Sequence, residues 1–491
     1  MNLFDRFSKT VEKQPEHPLI IGPEDERCDS YAQAYQQIQI LITQLKTNGV
    51  KAGDSVGLHY TNGPEYIYWV YAIWGCDACV VPIPAELTST EKEEIFKNIR
   101  IDSFISETNL KHDFEAIQVM SRNAVSDDAV LITVKPLREY PTDFSQINAA
   151  FVRFSSGTTG TAKGVILSHE TIVERIEAAN EVLQIGPDDN ILWMLSLAYH
   201  FVVTIVSYLT FGATIVFCKN HFGITILRTA IKHKVTIIYG APTHYELMTH
   251  TRGTDMLPEV RLAIATTTAL HPDVAKTFYD RFKIALNETY GIIEVGLPCI
   301  NVEKPRQKRG SVGQLLPAYE MELKDMGDAS HLKGIYVRGQ GILDAYYHPW
   351  QPRQEILALH DGWFFTGDLG YFDDEGYLYI QGRSKEVISV GGMKFFPQEV
   401  EAVLEQHPAI QEACVYGYKD KRLGEIPHAQ LVKEATVDIL PTEEELKELC
   451  LQHLATYKIP NQFIFIDELS RTASGKLIRN SAKLSKQELG T

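Results

Sequence analysis

The sequence predicts an α/β protein: a large N-terminal domain of βα-built sheets covered by helices, followed by a small α+β C-terminal domain. Segments with helical spacing of apolar residues alternate with short apolar runs from Ser30 onwards, which is typical of βα units. The composition changes near residues 382–386, which marks a second domain. A chain of 491 residues with 44% hydrophobic content is also long enough to bury more than one core.

The first part of the chain alternates between helix and strand. The pattern predicts helices at residues 30–49, 64–75 and 91–99 and strands at residues 53–58, 80–83 and 103–106. Strands joined through helices pair in parallel and are buried on both faces, so we expect parallel sheets between layers of helices. Cys76 and Cys79 have the spacing of a metal or redox pair, but no second pair accompanies them and the surrounding run is apolar. We expect them to be packing residues.

The uncharged run from Phe201 to Cys218 has nearly the length of a membrane span. Thr, Ser and Gly residues interrupt it, and Gly212 divides it, so a buried helix and strand are expected instead. Residues 1–7 lack a basic start followed by an apolar core, which indicates no secretory signal and a cytoplasmic protein. The net charge of −16 leaves no basic surplus for a nucleic acid, so any nucleotide ligand should be small and locally bound.

A polar loop between two predicted strands is the most informative stretch, Phe154-Ser-Ser-Gly-Thr-Thr-Gly-Thr-Ala-Lys-Gly164. An ordinary flexible loop can share this composition, but glycines that admit a close ligand and hydroxyls beside backbone N–H groups also suit a polyphosphate. It is not a Walker loop, because Lys163 follows Ala162 and leads into a strand. The candidate phosphate-binding residues are Ser155, Ser156, Gly157, Thr158, Thr159, Gly160 and Lys163.

This run resembles the Ser-Gly-Thr-Thr-Gly-x-Pro-Lys-Gly signature of the acyl-adenylate-forming superfamily. Acyl-CoA synthetases, coumarate–CoA ligases, firefly luciferase and the adenylation domains of peptide synthetases belong to it, and its motifs recur in order from about Tyr31 to Arg479. The resemblance implies that ATP and Mg²⁺ activate a carboxylic acid to an acyl-adenylate with release of pyrophosphate. It also implies domains at residues 1–384 and 385–491, with Lys385 at the hinge on which a mobile C-terminal domain turns.

The motif Tyr290-Gly-Ile-Ile-Glu294 resembles the family's Tyr-Gly-x-Thr-Glu. By that resemblance Tyr290 stacks on adenine, Gly291 completes the nucleotide site, and Glu294 holds magnesium together with Thr159. Ile293 departs from the family, because it stands where a threonine contacts the α-phosphate.

Two later motifs complete the expected nucleotide site. Residues 361–368 resemble the motif whose aspartate, here Asp368, accepts hydrogen bonds from both ribose hydroxyls, with Arg383 as a second ribose contact. A carboxylate offers two acceptor oxygens to the two donors of a vicinal diol. Residues 469–476 resemble Pro-x-Thr-x-Ser-Gly-Lys, so Lys476 is expected to be the catalytic lysine that reaches the acid and the α-phosphate together.

The acid pocket is expected around Tyr199 and His200, where the family places an aromatic residue and a catalytic histidine. A histidine in an apolar run is also common as a core residue. Amino-acid-activating relatives have an aspartate there, so His200 disfavours an amino acid. Thr267 and Thr268 stand where many members have glycines, which predicts a narrowed pocket for a small to medium hydrophobic or aromatic acid.

The acceptor is the least determined part of the reaction. Gly392 and Lys394 belong to a segment that resembles the pantetheine tunnel of CoA ligases, so CoA is the favoured acceptor. A carrier-protein phosphopantetheine or an amine is the alternative, because the same segment occurs in enzymes that load carriers and some relatives form amides. A nucleotide-binding pseudoenzyme is an alternative of another class, suggested by Ala162 and Ile293, although the charged motif residues are retained.

Overall fold

The computed structural model of the chain describes residues 2–23, 27–110, 117–155, 163–326, 333–435, 437, 439–471 and 477–479. The helices are α1 Leu3–Lys13, α2 Tyr31–Thr47, α3 Pro64–Gly75, α4 Ser89–Asn98, α5 His169–Leu183, α6 Leu197–His200, α7 Ile205–Thr210, α8 Gly223–Lys232, α9 Pro242–Thr249, α10 Pro272–Phe282, α11 Arg353–Ala358, α12 Pro397–Leu404 and α13 Glu443–His453.

The strands follow the same chain order. The first fourteen are β1 Pro18–Ile21, β2 Cys28–Ser30, β3 Ser55–His59, β4 Cys79–Pro82, β5 Ser103–Glu107, β6 Val119–Ala124, β7 Ala129–Val134, β8 Ala149–Ser155, β9 Lys163–Ser168, β10 Asn190–Trp193, β11 Thr214–Phe217, β12 Ile237–Gly240, β13 Leu262–Ala265 and β14 Leu286–Ile292. The others are β15 Gly296–Ile300, β16 Gln314–Leu315, β17 Tyr319–Asp325, β18 Lys333–Gly339, β19 Ala345–Tyr346, β20 Gln351–Pro352, β21 Phe364–Phe372, β22 Leu378–Arg383, β23 Ile388–Val390, β24 Met393–Phe395, β25 Ile410–Asp420, β26 Gly424–Lys433 and β27 Gln462–Ile466.

Two nine-stranded sheets form the body of the N-terminal domain. The first runs in the order β16-β15-β14-β13-β12-β10-β11-β1-β2 and the second in the order β20-β19-β9-β8-β4-β3-β5-β7-β6. The inner strands pair in parallel, as β10 does with β11 and β12 and as β3 does with β4 and β5. Antiparallel pairs close the ends of both sheets, and the parallel centre agrees with the alternation in the sequence.

Helix α3 explains how the two sheets share one core. Every residue from Tyr66 to Trp74 is at most 1% exposed, as expected for a helix that is apolar on all sides. Its side chains belong to a hydrophobic cluster that also contains residues of β3, β10, β11 and α5. Separate clusters cover the other faces, one beneath α4 and one beneath α8, α9 and α10.

Two smaller sheets complete the chain. The antiparallel sheet β17-β18-β21-β22 carries Asp368 and Arg383, and the sequence pattern did not predict it. The C-terminal sheet runs β24-β23-β26-β25, with β27 parallel to β26, and packs with α12 and α13 around a core of its own. A capping box starts α13 at Thr442, whose backbone N–H donates to the Glu445 carboxylate at 2.7 Å. The α/β class with a large and a small domain is confirmed.

The uncharged run at residues 201–218 forms α7 and β11 on either side of Gly212, as expected. Within the described part of the chain, no helix is long and apolar enough to cross a membrane. Cys76 and Cys79 are buried and not bonded to each other, which agrees with a packing role.

Candidate active site

Tyr290, Asp368 and Arg383 come together although they are far apart in sequence. The Tyr290 hydroxyl donates to Asp368 Oδ2 at 2.6 Å, and Arg383 Nε lies 3.0 Å from Asp368 Oδ1. Asp368 and Arg383 are directly opposite in the β21–β22 ladder, so strand register sets their pairing. Burial and the neighbouring Asp368 carboxylate raise the pKa of Tyr290, which keeps its hydroxyl protonated as a donor. Each carboxylate oxygen thus has a donor in place, and a carboxylate oxygen can accept more than one hydrogen bond.

The turn that carries Glu294 is held from the interior by Arg175. This arginine lies on α5, is 1% exposed, and donates to three backbone carbonyls: Nη1 to Ile293 at 2.8 Å, Nη2 to Glu294 at 2.9 Å and Nε to Gly341 at 2.5 Å. The Glu294 carbonyl also accepts from Leu343 N at 2.7 Å. Burial lowers the pKa of Arg175 to about 10, so the guanidinium still carries its charge near neutral pH. The backbone of the expected magnesium ligand is therefore fixed on both sides.

Lys163 at the start of β9 lies close to Glu294. Its Nζ is 4.0 Å from the centroid of the Tyr346 ring, and the Tyr346 hydroxyl interacts with the Glu294 carboxylate. Burial lowers the pKa of Lys163, and the nearby charge of Lys385 lowers it further, whereas Glu294 raises it. The Glu294 carboxylate also raises the pKa of Arg383. Lys163 and Arg383 therefore lie within electrostatic reach of the Glu294 carboxylate, and Arg383 also pairs with Asp368. A nucleotide with a divalent cation requires cations and carboxylates in this combination.

These residues fit a magnesium–nucleotide complex. Mg²⁺ in such sites is usually held by one or two carboxylates together with phosphate oxygens and water. Glu294 offers an oxygen ligand of this kind, and among the described residues there is no cluster of three or more His, Cys, Asp or Glu side chains that would form an all-protein site. Glu294 would hold the cation, and Lys163 would face the phosphates.

The expected acid pocket is lined by aromatic rings at the carboxyl ends of β10 and β12. The His200 ring lies 6.2 Å from that of Trp193 and 6.3 Å from that of Tyr239, and both contacts are edge-on. Trp193 and Tyr239 stack on each other with centroids 5.3 Å apart. Because the carboxyl ends of neighbouring parallel strands meet at one edge of a sheet, this is where a ligand is expected in an open α/β sheet.

The threonine run after β13 adjoins this wall. The Thr266 hydroxyl interacts with that of Tyr239, and the Thr266 N–H donates to Gly240 O at 3.1 Å. Thr267 has φ of 78°, a left-handed conformation that a β-branched residue rarely adopts. Thr268 is exposed, whereas Thr267 is half-buried. Of the two threonines that stand where the family has glycines, Thr267 is therefore the one whose backbone conformation favours glycine.

Arg153 connects the acid pocket to the strand that leads into the polar loop. It lies on β8, its Nη1 donates to the Tyr199 carbonyl at 2.8 Å, and its Cζ is 5.1 Å from the Tyr199 ring centroid. Tyr199 and His200 end the short helix α6, which Asn62 caps by accepting from Leu197 N at 2.8 Å. This contact joins β8 of one nine-stranded sheet to the helix that follows β10 of the other.

Gly392 and Lys394 lie in the hairpin of β23 and β24. Gly391 and Gly392 have φ of 57° and 86°, and Val390 pairs with Met393, so the two glycines form a tight two-residue turn. Gly392 is exposed and Lys394 is half-buried. Lys385 is also exposed, and the backbone turns there, because Glu386 N donates to Arg383 O at 3.0 Å.

Several expected site residues lie outside the described residues: Ser156, Gly157, Thr158, Thr159, Gly160 and Lys476. The chain on either side of them is described. The backbone of Ser155 pairs with that of Lys163, so the polar loop joins adjacent ends of two antiparallel strands. Arg471 likewise pairs with Leu477 across the segment that contains Lys476.

Three residues at this site were not identified from the sequence. Arg153 carried a signal, since it is a charged residue in the apolar run Phe151-Val-Arg-Phe154 that precedes the polar loop. Arg175 carried a weaker one, because it falls on the buried face of α5. Nothing in the sequence distinguished Tyr346 from the neighbouring Tyr347.

Comparison with known proteins agrees with the expected family. The AMP-binding enzyme family matches residues 7–347, and the AMP-binding enzyme C-terminal domain matches residues 399–476. The chain is 30% identical over 473 residues to 2-succinylbenzoate–CoA ligase of Bacillus velezensis, covering 94% of each chain. It is 28% identical to sulfoacetate–CoA ligase of Cupriavidus necator, covering 95% of this chain and 94% of the relative.

A solved structure shares the fold along nearly the whole chain. The o-succinylbenzoate CoA synthetase of Bacillus subtilis, solved with its acyl-adenylate intermediate, has a TM-score of 0.82 at 25% identity and covers 98% of both chains. The same synthetase was also solved with ATP and a magnesium ion. The expected family and reaction class are thus confirmed. The chain belongs to the AMP-binding enzyme family and is an AMP-forming acid–thiol ligase.

Proposed function

We propose that this enzyme joins a small to medium carboxylic acid with an aromatic or hydrophobic body to CoA through an acyl-adenylate. The observation that carries the proposal is the convergence of Asp368, Arg383, Lys163 and Glu294. Arg153 links this group to the expected acid pocket, because it donates to the Tyr199 carbonyl and lies within electrostatic reach of Glu294. This arrangement supports a nucleotide and a small acid side by side. The related ligases act on 2-succinylbenzoate and sulfoacetate, which are small acids, and both use CoA.

In the proposed nucleotide site, Asp368 accepts hydrogen bonds from both ribose hydroxyls. Each of its oxygens already has one donor, so the Tyr290 hydroxyl and Arg383 hold the carboxylate in place before ATP arrives. The Tyr290 ring would lie against adenine, and Gly291 leaves space at the turn, because a Cβ there would lie 2.6 Å from Gly296 O. Ser155 to Gly160 and Lys163 would bind the phosphates, with Glu294 and Thr159 at the magnesium ion.

In the first half-reaction, an oxygen of the acid's carboxylate attacks the α-phosphorus of ATP. The bond from that phosphorus to the bridging oxygen of pyrophosphate breaks, and pyrophosphate leaves with the bonding electrons. Positive charge is needed because two anions approach each other. Lys163 supplies it from the phosphate side, Lys476 would supply it at the acid, and Mg²⁺, when bound, neutralises the departing phosphates.

In the second half-reaction, the CoA thiol loses its proton to water and its sulfur attacks the acyl carbon. The bond from that carbon to the phosphate oxygen of AMP breaks, AMP leaves with the bonding electrons, and a thioester forms. We place the domain boundary at 384/385 and the hinge at Lys385, where the backbone turns between β22 and the C-terminal sheet. Rotation there would remove Lys476 and bring the hairpin of Gly392 and Lys394 to the acceptor.

Acid-dependent pyrophosphate release tests the proposal. The purified protein is given ATP, Mg²⁺ and a panel of small aromatic and aliphatic acids, and each active acid is then repeated with CoA, a phosphopantetheinylated carrier protein or an amine. We expect pyrophosphate release to depend on the acid and a thioester to form with CoA. Product formation only with the carrier or the amine would refute CoA as the acceptor, and the absence of pyrophosphate release with every acid would refute adenylation.

A further inference from the structure

Arg153 is a half-buried cation whose hydrogen-bonding capacity is incompletely used. Its Nη1 donates to the Tyr199 carbonyl at 2.8 Å, but its buried Nε has no acceptor among the described residues. Burial lowers its pKa, and the electrostatic neighbours that counteract this are Tyr199, Glu294 and Tyr66. A guanidinium has five N–H donors and remains charged in proteins, so leaving one of them buried and unpaired is unfavourable.

Tyr66 presents a second unpaired donor at the same place. It lies on α3, is 1% exposed, and its hydroxyl has no hydrogen-bond partner among the described residues. Burial raises the pKa of Tyr66, and Glu86 and Tyr199 raise it further, whereas the charge of Arg153 lowers it. The hydroxyl therefore stays protonated and can only gain by meeting an acceptor. Arg153 donates to Tyr199, and the Tyr66 ring lies 6.0 Å from that of Phe201, which directly follows His200 of the expected acid pocket.

We propose that Arg153 and the Tyr66 hydroxyl form a subsite for a second anionic oxygen group, a carboxylate or a sulfonate, on the acid substrate. This inference rests on the proposed function and specifies its acid. A guanidinium binds a carboxylate or sulfonate with two parallel hydrogen bonds, and the burial of Arg153 strengthens this interaction relative to water. The Tyr199 ring packs against one face of the guanidinium and so orients it.

The reacting carboxylate is a poorer candidate for this subsite. The cations expected at the phosphates are Lys163 and Lys476, and the Glu294 carboxylate raises the pKa of Lys163. Arg153 instead contacts Tyr199 on α6, at the side where the body of the acid is expected. Arg153 nevertheless lies within electrostatic reach of Glu294, which favours a short acid.

Among the described residues, no carboxylate is hydrogen-bonded to Arg153. Glu86 acts on Tyr66 and Tyr199, and the Ser196 hydroxyl holds it at 3.2 Å, but it is not among the charges that act on Arg153. Glu91 raises the pKa of Tyr199 but not that of Tyr66 or Arg153.

The test compares matched acids in the intact enzyme. Benzoate is compared with 2-carboxybenzoate and 2-sulfobenzoate, and butyrate with succinate and 3-sulfopropionate, by kcat/KM for pyrophosphate release. We expect the wild type to prefer at least one doubly anionic acid over its matched mono-acid. Arg153→Met should reduce that preference about 10- to 100-fold, the effect of losing hydrogen bonds to a charged group. Arg153→Lys should keep part of it, and the carboxylate and sulfonate arms identify the group that is bound.

Two results for Arg153→Met would overturn the subsite. An unchanged preference in Arg153→Met overturns the subsite, as does an equal loss for mono-acids and doubly anionic acids, because Arg153 would then serve the chemistry common to all acids. Should Arg153→Met fail to fold, Tyr66→Phe replaces it, and we expect a loss of preference of about 3- to 10-fold from one neutral hydrogen bond. An unchanged preference there also overturns the subsite. Turnover of mono-acids without any preference in the wild type refutes this inference alone, whereas no turnover with any acid refutes the proposed function as well.

Discussion

Replacing Arg175 should destabilise the protein and weaken its response to magnesium together. The guanidinium donates to the carbonyls of Ile293, Glu294 and Gly341 and is 1% exposed, so no water can replace it without rearrangement. In Arg175→Met the chain keeps a side chain of similar length but leaves three carbonyls without this donor. The turn that positions Glu294 then loses its interior support.

The size of the effect follows from two opposing contributions. Three hydrogen bonds from a charged donor stabilise the fold by about 1.5–3 kcal/mol each, or about 5–9 kcal/mol together. The surroundings lower the pKa of Arg175 to about 10, chiefly through burial, which is a net cost of about 3 kcal/mol for the charged side chain that methionine avoids. Hydrogen bonding outweighs burial, and we expect Arg175→Met to reduce the free energy of unfolding by about 2–6 kcal/mol.

Urea unfolding measures the stability, and the magnesium dependence of pyrophosphate release measures the position of Glu294. Arg175→Lys should lie between wild type and Arg175→Met, because an ammonium keeps the charge but cannot reach three carbonyls. Gly341→Ala offers a second test, since its Cβ would lie 2.6 Å from Arg175 Cγ. Gly376→Ala is the matched control, with φ of 78° against 76° at Gly341 and no atom near its Cβ. Arg175→Met with an unchanged urea midpoint and an unchanged magnesium dependence would refute this reasoning.

Three further perturbations test other parts of the site. Lys476→Ala should slow adenylation about 100- to 1,000-fold, as for the loss of one preorganised donor, and barely change transfer from supplied acyl-AMP to CoA. Equal losses in the two assays would contradict the two-pose mechanism. Thr267→Gly should leave the free energy of unfolding unchanged or raise it by up to about 1 kcal/mol, measured from the urea midpoint. A left-handed L-residue costs about 1–2 kcal/mol, and glycine loses part of this gain because it has more chain entropy in the unfolded state. The variant should also admit bulkier acids. Thr266→Gly is the control that should destabilise, and equal destabilisation by the two would show that Thr267 is unstrained. Below pH 6.5 the protein should lose stability, since burial lowers the pKa of His169 to about 4 and its Nδ1 accepts from Leu3 N at 3.1 Å. The unfolded chain binds a proton between pH 6.5 and 4 that the folded chain does not, which costs up to about 3 kcal/mol at the lower pH and nothing above 6.5. As the pH is lowered, the urea midpoint should fall less steeply for His169→Gln than for the wild type. Parallel curves would show that His169 does not cause the loss of stability.

Local patterns were sufficient for much of the N-terminal domain. Helix α3 and strand β3 were predicted within two residues, because an all-apolar helix after Pro64 and an apolar run after Gly53 each have a strong local cause. The capping box at Thr442 is equally local. The family followed from motifs whose spacing along the chain needs no knowledge of the fold.

The contacts that assemble the site could not be predicted in this way. Asp368 meets Arg383 because of strand register in an antiparallel sheet that the βα pattern did not indicate. Arg175 finds its acceptors more than a hundred residues later in the chain, so its role depends on how α5 packs. The positive φ of Thr267 is set by closure of the loop after β13, against the preference of threonine itself. Long-range packing overrides local preference at each of these positions.

The ion pairs of Arg479 limit how the C-terminal part of the chain can turn. This residue lies three positions after Lys476, and its guanidinium binds Glu401 at 2.8 Å and Glu386 at 3.4 Å. Glu386 immediately follows Lys385, so the segment that leaves Lys476 is tied to the first residue beyond the proposed hinge. If the C-terminal domain turns at the proposed hinge, the rotation would therefore take place before residue 386, and Arg479 would move together with Glu386 and Glu401.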